Sequence, residues 1–271
     1  MPLGSFRFIK TIILSGLLAS SFSFANDGNQ QRNIFLEAEN QVWNASSATY
    51  QNLYKQLHYY PLQPYLDQKR LMTKMKLSSA TEISEFLTKY EGTPLDWPLR
   101  KKWLTYLAKR KQPVLFQAFF KPTSNVELTC QHYSFELQTG VAPTRVLPKV
   151  SALWLVGKSQ PKVCDPIFKK WQLAGYRTND MIWQRIVLAA DGGKHSLIPY
   201  LTKLLPEKEQ ALAKVWHKVR RDPAYISKLS RFSNKSAREA EIVAYGLKRL
   251  IWRSPEKALD TYALAKTLLP F

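Results

Sequence analysis

Cysteine and histidine are nearly missing from this chain, and what is there is not arranged to hold a metal. The only cysteines are Cys130 and Cys164, and the four histidines, His58, His132, His195 and His217, show no His-x-x-x-His spacing. Two thiols without a clustered pair of histidines cannot complete a tetrahedral shell, so no metal is expected. Neither cysteine has a C-x-x-C partner, which sets aside a redox pair. No Gly-x-Ser-x-Gly occurs, so the strained serine turn of the α/β-hydrolases is missing too. Gly157-Lys158-Ser159 has the ending of a phosphate-binding loop, but the position that needs the first glycine is Ala152 and no strand precedes it. It reads as a helix-terminating turn, and no cofactor is expected.

Acidic residues are also scarce, 20 against 40 basic ones, for a formal charge of +20. Such an excess attracts polyanions. Long apolar runs are absent: the longest, Thr11–Leu18, falls well short of the roughly 20 residues that cross a bilayer. No stable membrane anchor is expected. That short run is flanked by Arg7 and Lys10 before it and by Ser23-Phe24-Ala25 after it, the order of an export signal. Residues 1–25 are expected to be a cleaved signal peptide, leaving Asn26 first in the periplasm. Removal of Arg7 and Lys10 leaves the chain strongly cationic, but export changes the anions it meets. Stem-peptide carboxylates of peptidoglycan, lipid head groups and lipopolysaccharide phosphates replace nucleic acid as the partners to consider, and no nucleic-acid partner is expected. An even cysteine count in an exported chain favours a Cys130–Cys164 disulfide, worth roughly 3–4 kcal/mol by loop closure, with two buried free thiols as the alternative.

The body of the chain is 45% apolar and 13% aromatic, with only 10 glycines and no low-complexity run. Its apolar residues recur three or four apart, with few alternating stretches, which predicts helices nearly throughout. Ile34, Ala38, Val42 and Trp43 form one stripe, and Tyr50, Leu53, Tyr54 and Leu57 a second. A short helix follows Pro61. Further helices are predicted over 80–90, 97–110, 115–120, 126–138, 144–155, 166–173, 179–190, 196–204, 207–220, 224–231, 237–252 and 256–268, with Trp103, Leu104 and Leu107 turned inward. Gly140, Gly157, Gly175 and Gly192-Gly193 fall where helices should end in a left-handed residue, and Pro166, Pro223 and Pro255 fall near starts. Ser254-Pro255-Glu256-Lys257 resembles a capped entry. Short helices joined by short turns predict an all-α fold, an α-superhelix or α-solenoid of antiparallel hairpins. A compact irregular helical domain is the alternative from periodicity alone.

Three segments carry a resemblance: Tyr60-Pro61-Leu62-Gln63-Pro64-Tyr65-Leu66, Cys130-Gln131-His132-Tyr133, and Leu153-Trp154-Leu155-Val156-Gly157-Lys158-Ser159-Gln160-Pro161-Lys162-Val163-Cys164-Asp165. In order and spacing they resemble the amino-terminal superhelical region of the soluble lytic murein transglycosylases, over most of residues 30–271. The resemblance implies a disulfide between the two cysteines within the superhelix. It also implies that the chemistry, glycan cleavage to 1,6-anhydromuramoyl ends by one glutamate, belongs to a carboxyl-terminal lysozyme-like domain. That domain carries a Glu-Ser pair, a Gly-Leu-Met-Gln-type segment and an Ala-Tyr-Asn-Ala-Gly-type segment, and none of the three occurs in this sequence. No catalytic residue is therefore assigned, and the substrate-binding residues stay unassigned. Lys266–Phe271 ends in an apolar helix of the kind that packs on a following one. Residues 26–271 are thus expected to be an incomplete superhelical domain, with an independent solenoid lacking an enzyme domain as the competing account.

The remaining charges read mostly as surface. Glu82 with Glu85, and Glu239 with Glu241, are expected to be solvated helix-face carboxylates, since a catalytic acid needs an apolar setting that raises its pKa. Arg100-Lys101-Lys102, Lys109-Arg110-Lys111, Lys169-Lys170, Arg220-Arg221 and Lys248-Arg249 are expected mostly at helix ends or outward, some of them lining a surface for anionic murein strands. Three functions follow: a non-catalytic scaffold that binds peptidoglycan glycan strands and seats a missing catalytic domain, a stand-alone periplasmic solenoid adapter for a protein partner, or a basic nucleic-acid-binding solenoid.

Overall fold

The computed structural model describes the backbone from Leu17 to Phe271 and the side chains from Gly28 onward. Among these residues there are fourteen α-helices, six short 3-10 helices and no strand. The chain is all-α. None of the described helices is long and apolar enough to cross a membrane. The expected signal peptide lies outside the described residues, apart from its backbone from Leu17, where α1 (Leu17–Gln41) begins. The helices divide into two compact units, one ending at Gln112 and the other spanning Pro113–Phe271.

The first unit holds α1, α2 (Ala48–Gln56), α3 (Gln63–Thr73), α4 (Ala80–Lys89) and α5 (Asp96–Lys109). Ala38, Val42, Tyr50, Leu53, Leu57 and Leu66 form one core among the first three helices. Ser47 opens α2 by accepting the Tyr50 N–H, which satisfies one of the orphan amides of the first turn. Trp43 departs from the predicted stripe. The α-helix stops at Gln41 and Val42–Asn44 winds as a 3-10 turn. Three residues per turn in place of 3.6 takes Trp43 off the inward face, and it is 59% exposed while Val42 is buried. In α5, Trp103, Leu104 and Leu107 are fully buried, as read from their spacing. Arg100 is not an outward cation as expected. It lies one turn after Asp96, is itself buried, and donates Nε–H to Asp96 Oδ1 at 2.6 Å.

The second unit contains α6 (Pro113–Phe119), α7 (Val126–Gln138), α8 (Pro143–Trp154), α9 (Asp165–Leu173), α10 (Asn179–Ala190), α11 (Ile198–Thr202), α12 (Glu207–Arg221), α13 (Ala237–Leu250) and α14 (Pro255–Leu268). From α6 to α9 each helix packs on the next, and the same holds from α10 to α14. That neighbour-on-neighbour packing is what stacked hairpins produce. One continuous apolar core runs from Cys130 to Leu269 and includes Trp154, Trp171, Trp183 and Trp216. Cys130 on α7 and Cys164 just before α9 are joined by a disulfide, with both cysteines fully buried. Asn125, Thr178 and Ser236 cap α7, α10 and α13, and Ser236 exchanges bonds with Glu239 in a full capping box.

Three local readings change in this unit. Gly140, Gly175 and Gly192 have φ of 90°, 84° and 85°, the left-handed residues expected past helix ends, but Gly157 and Gly193 serve a different purpose. A Cβ at Gly157 would lie 2.3 Å from the Leu188 carbonyl oxygen, and one at Gly193 would lie 2.4 Å from the same atom. These glycines let the loop after α8 rest directly on the end of α10, where Lys194 N–H donates to Gly157 O at 2.8 Å. The helix expected over 224–231 is instead a pair of 3-10 turns, Pro223–Ser227 and Leu229–Arg231. Pro223, Ile226 and Phe232 are buried and Leu229 half-buried, a spacing of three that suits a 3-10 winding. Ser254 makes no side-chain cap, so α14 starts on Pro255 alone.

Candidate functional site

The segment from Trp154 to Cys164, with α9 and α10 beside it, encloses a cavity of about 270 Å³. Local chemistry builds it step by step. Trp154 closes α8, and the disulfide at Cys164 ties the far end of the following loop to α7. Between these fixed points Gln160 donates its side-chain amide back to Leu153 O. Arg185 on α10 holds the middle: its Nε–H donates to Val156 O at 3.1 Å and its Nη2 to Lys158 O at 3.0 Å. The guanidinium lies over the Trp154 ring, 4.3 Å from the centroid. Trp171 backs the wall, tilted against Trp154 at 5.3 Å, with its indole N–H donated to Ser151 Oγ at 3.0 Å.

Arg185 is only 5% exposed, and its hydrogen bonds to Val156 and Lys158 go to carbonyls rather than to a carboxylate. Burial lowers its pKa from the ordinary arginine value, with a smaller opposite effect from Tyr200. A guanidinium nevertheless stays charged at any physiological pH. Lys169 and Arg177 line the same cavity and Asp165 is the one acidic residue in its wall. A pocket with three cations, one carboxylate and low-dielectric tryptophan walls concentrates positive potential and suits an anionic group such as a carboxylate.

The residues singled out in the sequence are placed as follows. Glu82 pairs with Arg70 across α3 and α4, and Glu85 is exposed on the same helix. Glu239 is not solvated as expected: it is 2% exposed and closes the capping box of α13. Glu241 is exposed but accepts the Trp183 indole N–H at 2.8 Å. None of these four carboxylates lines the cavity. His195 and His217, distant in sequence, have ring centroids 6.3 Å apart. His132 stacks on Phe120 at 3.9 Å, and burial lowers its pKa from 6.5, opposed by Glu136 and assisted by Lys149. Among the described residues no group of three or more His, Cys, Asp or Glu could hold a metal ion. Of the basic clusters, Lys169 reaches the cavity, Arg220 donates to Ala190 O at 3.1 Å, and Lys248 pairs with Asp191. Sequence reasoning missed Arg185 and Arg177, which stand outside any basic run. The only signal that could have found Arg185 is its position on the otherwise apolar face Ile182, Trp183, Ile186 and Ala189.

Comparison with proteins of known structure gives the fold a context. A lytic transglycosylase Slt from Pseudomonas aeruginosa, solved as an inactive mutant, superposes with a TM-score of 0.76 and 33% identity over 88% of this chain and 39% of that one. The soluble lytic murein transglycosylases of Escherichia coli strain K12 and Salmonella typhimurium are 28% and 27% identical over 73% of this chain. This chain is homologous to the soluble lytic murein transglycosylases.

It spans 30–31% of the length of those curated transglycosylases. The 70-kDa soluble lytic transglycosylase solved in complex with bulgecin A shares the fold, with a TM-score of 0.70 at 23% identity. A family model described as Cucumovirus coat protein also matches residues 117–233. That segment is under half of the chain and contains only helices and turns here, whereas capsid domains of the jelly-roll type are built from sheets. The transglycosylase relationship accounts for both the sequence and the fold.

Proposed function

We propose that this chain is the superhelical scaffold part of a soluble lytic murein transglycosylase. It acts in the periplasm, with residues 1–25 as its export signal and residues 26–271 as a superhelical domain that binds and positions glycan strands of peptidoglycan. The cleaving step would be supplied by a lysozyme-like domain that these residues do not include, consistent with the missing Glu-Ser pair. The observation that carries this reading is homology across 73% of the chain confined to about a third of each relative, together with a cationic cavity in the segment that bears the resemblance. Stem-peptide carboxylates are the natural anions for Lys169, Arg177 and Arg185. Exposed Leu259 and Tyr262 on α14, which line one groove with Ile251, add support, since neighbouring exposed apolar side chains suit packing against further protein.

The test is sedimentation of the purified chain with insoluble peptidoglycan. Binding should fall as salt is raised, because surface attraction is screened within about 10 Å at 0.1 M. The double variant Arg177→Gln/Lys169→Gln, which leaves the Arg185 clamp in place, should weaken it further at low salt. No muropeptide should be released by the chain alone. Salt-insensitive binding, or none, defeats the murein reading and favours the stand-alone adapter.

A further inference from the structure

We propose a second, separate subsite in the first unit: a saccharide-binding cleft with Trp43 as its stacking platform. The proposal rests on the murein-binding reading above and adds to it the place where a sugar ring, rather than a stem-peptide carboxylate, is held. The cleft has a volume of about 510 Å³, within the usual 300–1,000 Å³ of small-ligand sites. It is bordered by Trp43, Gln51, Arg70, Lys74, Ser79 and Glu82.

Three observations favour a sugar. First, Trp43 is held out of the core by the 3-10 turn of Val42–Asn44 and is 59% exposed at the edge of a cleft. An indole face left open beside a concavity offers apolar area to the C–H face of a pyranose, while the ring hydroxyls need planar polar groups around them. Second, those groups are present and paired. Arg70 pairs with Glu82 and lies 3.9 Å from Asp67. Asp67 in turn accepts the Tyr54 hydroxyl at 2.9 Å on both oxygens. Burial first, then Asp67, raises the Tyr54 pKa, so the phenol stays protonated and keeps donating. The Glu82 pairing, with Asp67 as a nearby countercharge, holds Arg70 at the cleft wall, where its other N–H groups and the carboxylate's remaining lone pairs can meet hydroxyls. Third, Lys74 at the rim suits a saccharide that also carries an acid.

The chain as a whole is titrated with a neutral oligosaccharide of N-acetylglucosamine and, separately, with an acid-bearing muropeptide, followed by calorimetry and by saturation-transfer NMR. The cleft predicts binding of both ligands, with the acidic one tighter at low salt. Trp43→Ala should lower affinity for the neutral sugar about tenfold, the loss of one aromatic contact of about 1.4 kcal/mol. Trp43→Phe should recover part of it. Trp252→Ala, which removes a tryptophan that is 88% exposed in the other unit, should change nothing. Equal sugar affinity in Trp43→Ala, or no sugar binding by the unaltered chain, overturns the cleft. Peptidoglycan sedimentation run in parallel separates the two failures. Pelleting that survives without sugar binding sinks the cleft alone, and sugar binding without pelleting sinks the wider murein reading while leaving the cleft.

Discussion

Up to Gln112 the ion pairs reach at most from Lys69 back to Glu39; beyond Pro113 a disulfide, aromatic hydrogen bonds and the Arg238–Asp180 and Lys248–Asp191 ion pairs reach 34 to 58 positions along the chain. In the first unit Lys69 reaches Glu39, Arg70 reaches Asp67 and Glu82, and Arg100 reaches Asp96 one turn away. In the second unit the disulfide joins residues 34 apart, Trp183 donates to Glu241, and Tyr245 donates its hydroxyl to Ala190 O across 55 positions. The difference teaches where each unit is vulnerable. Exposed ion pairs contribute little individually and weaken with salt, so the first unit depends on its apolar core and on the buried pair of Asp96 and Arg100. The second unit depends on its apolar core and on the disulfide, whose stabilisation is largely a cost imposed on the unfolded chain.

The largest expected break in this contrast is loss of the disulfide. The double variant Cys130→Ala/Cys164→Ala should lose about 3–4 kcal/mol, read as a lower denaturation midpoint and as faster amide exchange in α7–α9 than in α1–α5. Equal loosening of both sets of helices would show that the clip is not specific to the second unit. Next is Asp96→Ala, which leaves Arg100 buried beside a lost carboxylate. It should cost about 1–3 kcal/mol, below the full cost of breaking a buried pair because Arg100 keeps other interactions. Its effect should concentrate in α3–α5. A change under about 0.5 kcal/mol would place Asp96 with the exposed pairs.

The smallest effect is with pH. His132 is held below its ordinary value of 6.5 chiefly by burial, and the same holds for His217. The folded chain therefore favours neutral imidazoles, and the unfolded chain binds more protons once the pH drops below the unfolded value. Stability from these groups is complete above about pH 6.5 and is lost as the pH falls through it. Denaturation midpoints should decline from pH 7 to pH 5. His132→Phe, which keeps the stack on Phe120, should remove part of the decline, and the remainder should belong to His217. An unchanged slope would rule out His132 as a contributor.

Much of the candidate site lay in view in the sequence and part of it did not. The Trp154–Cys164 segment stood out as the most specific run, and the structure makes it a cavity wall. Arg185 and Arg177 come to that wall from residues further along the chain, so no local pattern announced them. Trp43 was misplaced for a related reason: a stripe with period 3.6 assumes that the helix continues, and α1 stops two residues earlier. Glu239 was misread as a surface charge because a capping box turns a carboxylate back onto its own backbone.

Apolar residues three and four apart, with glycine and proline at the breaks, were enough by themselves to set the all-α class, the order of the helices and most of their limits. Those are local matters, governed by backbone winding and by which face meets water. Tertiary structure alone decided which glycines were needed for close approach rather than for turning, which arginine was buried without an acid, and which tryptophan was left open beside a cleft. Each of these depends on surfaces brought together from distant positions, and burial is a property of the assembled pair rather than of either segment.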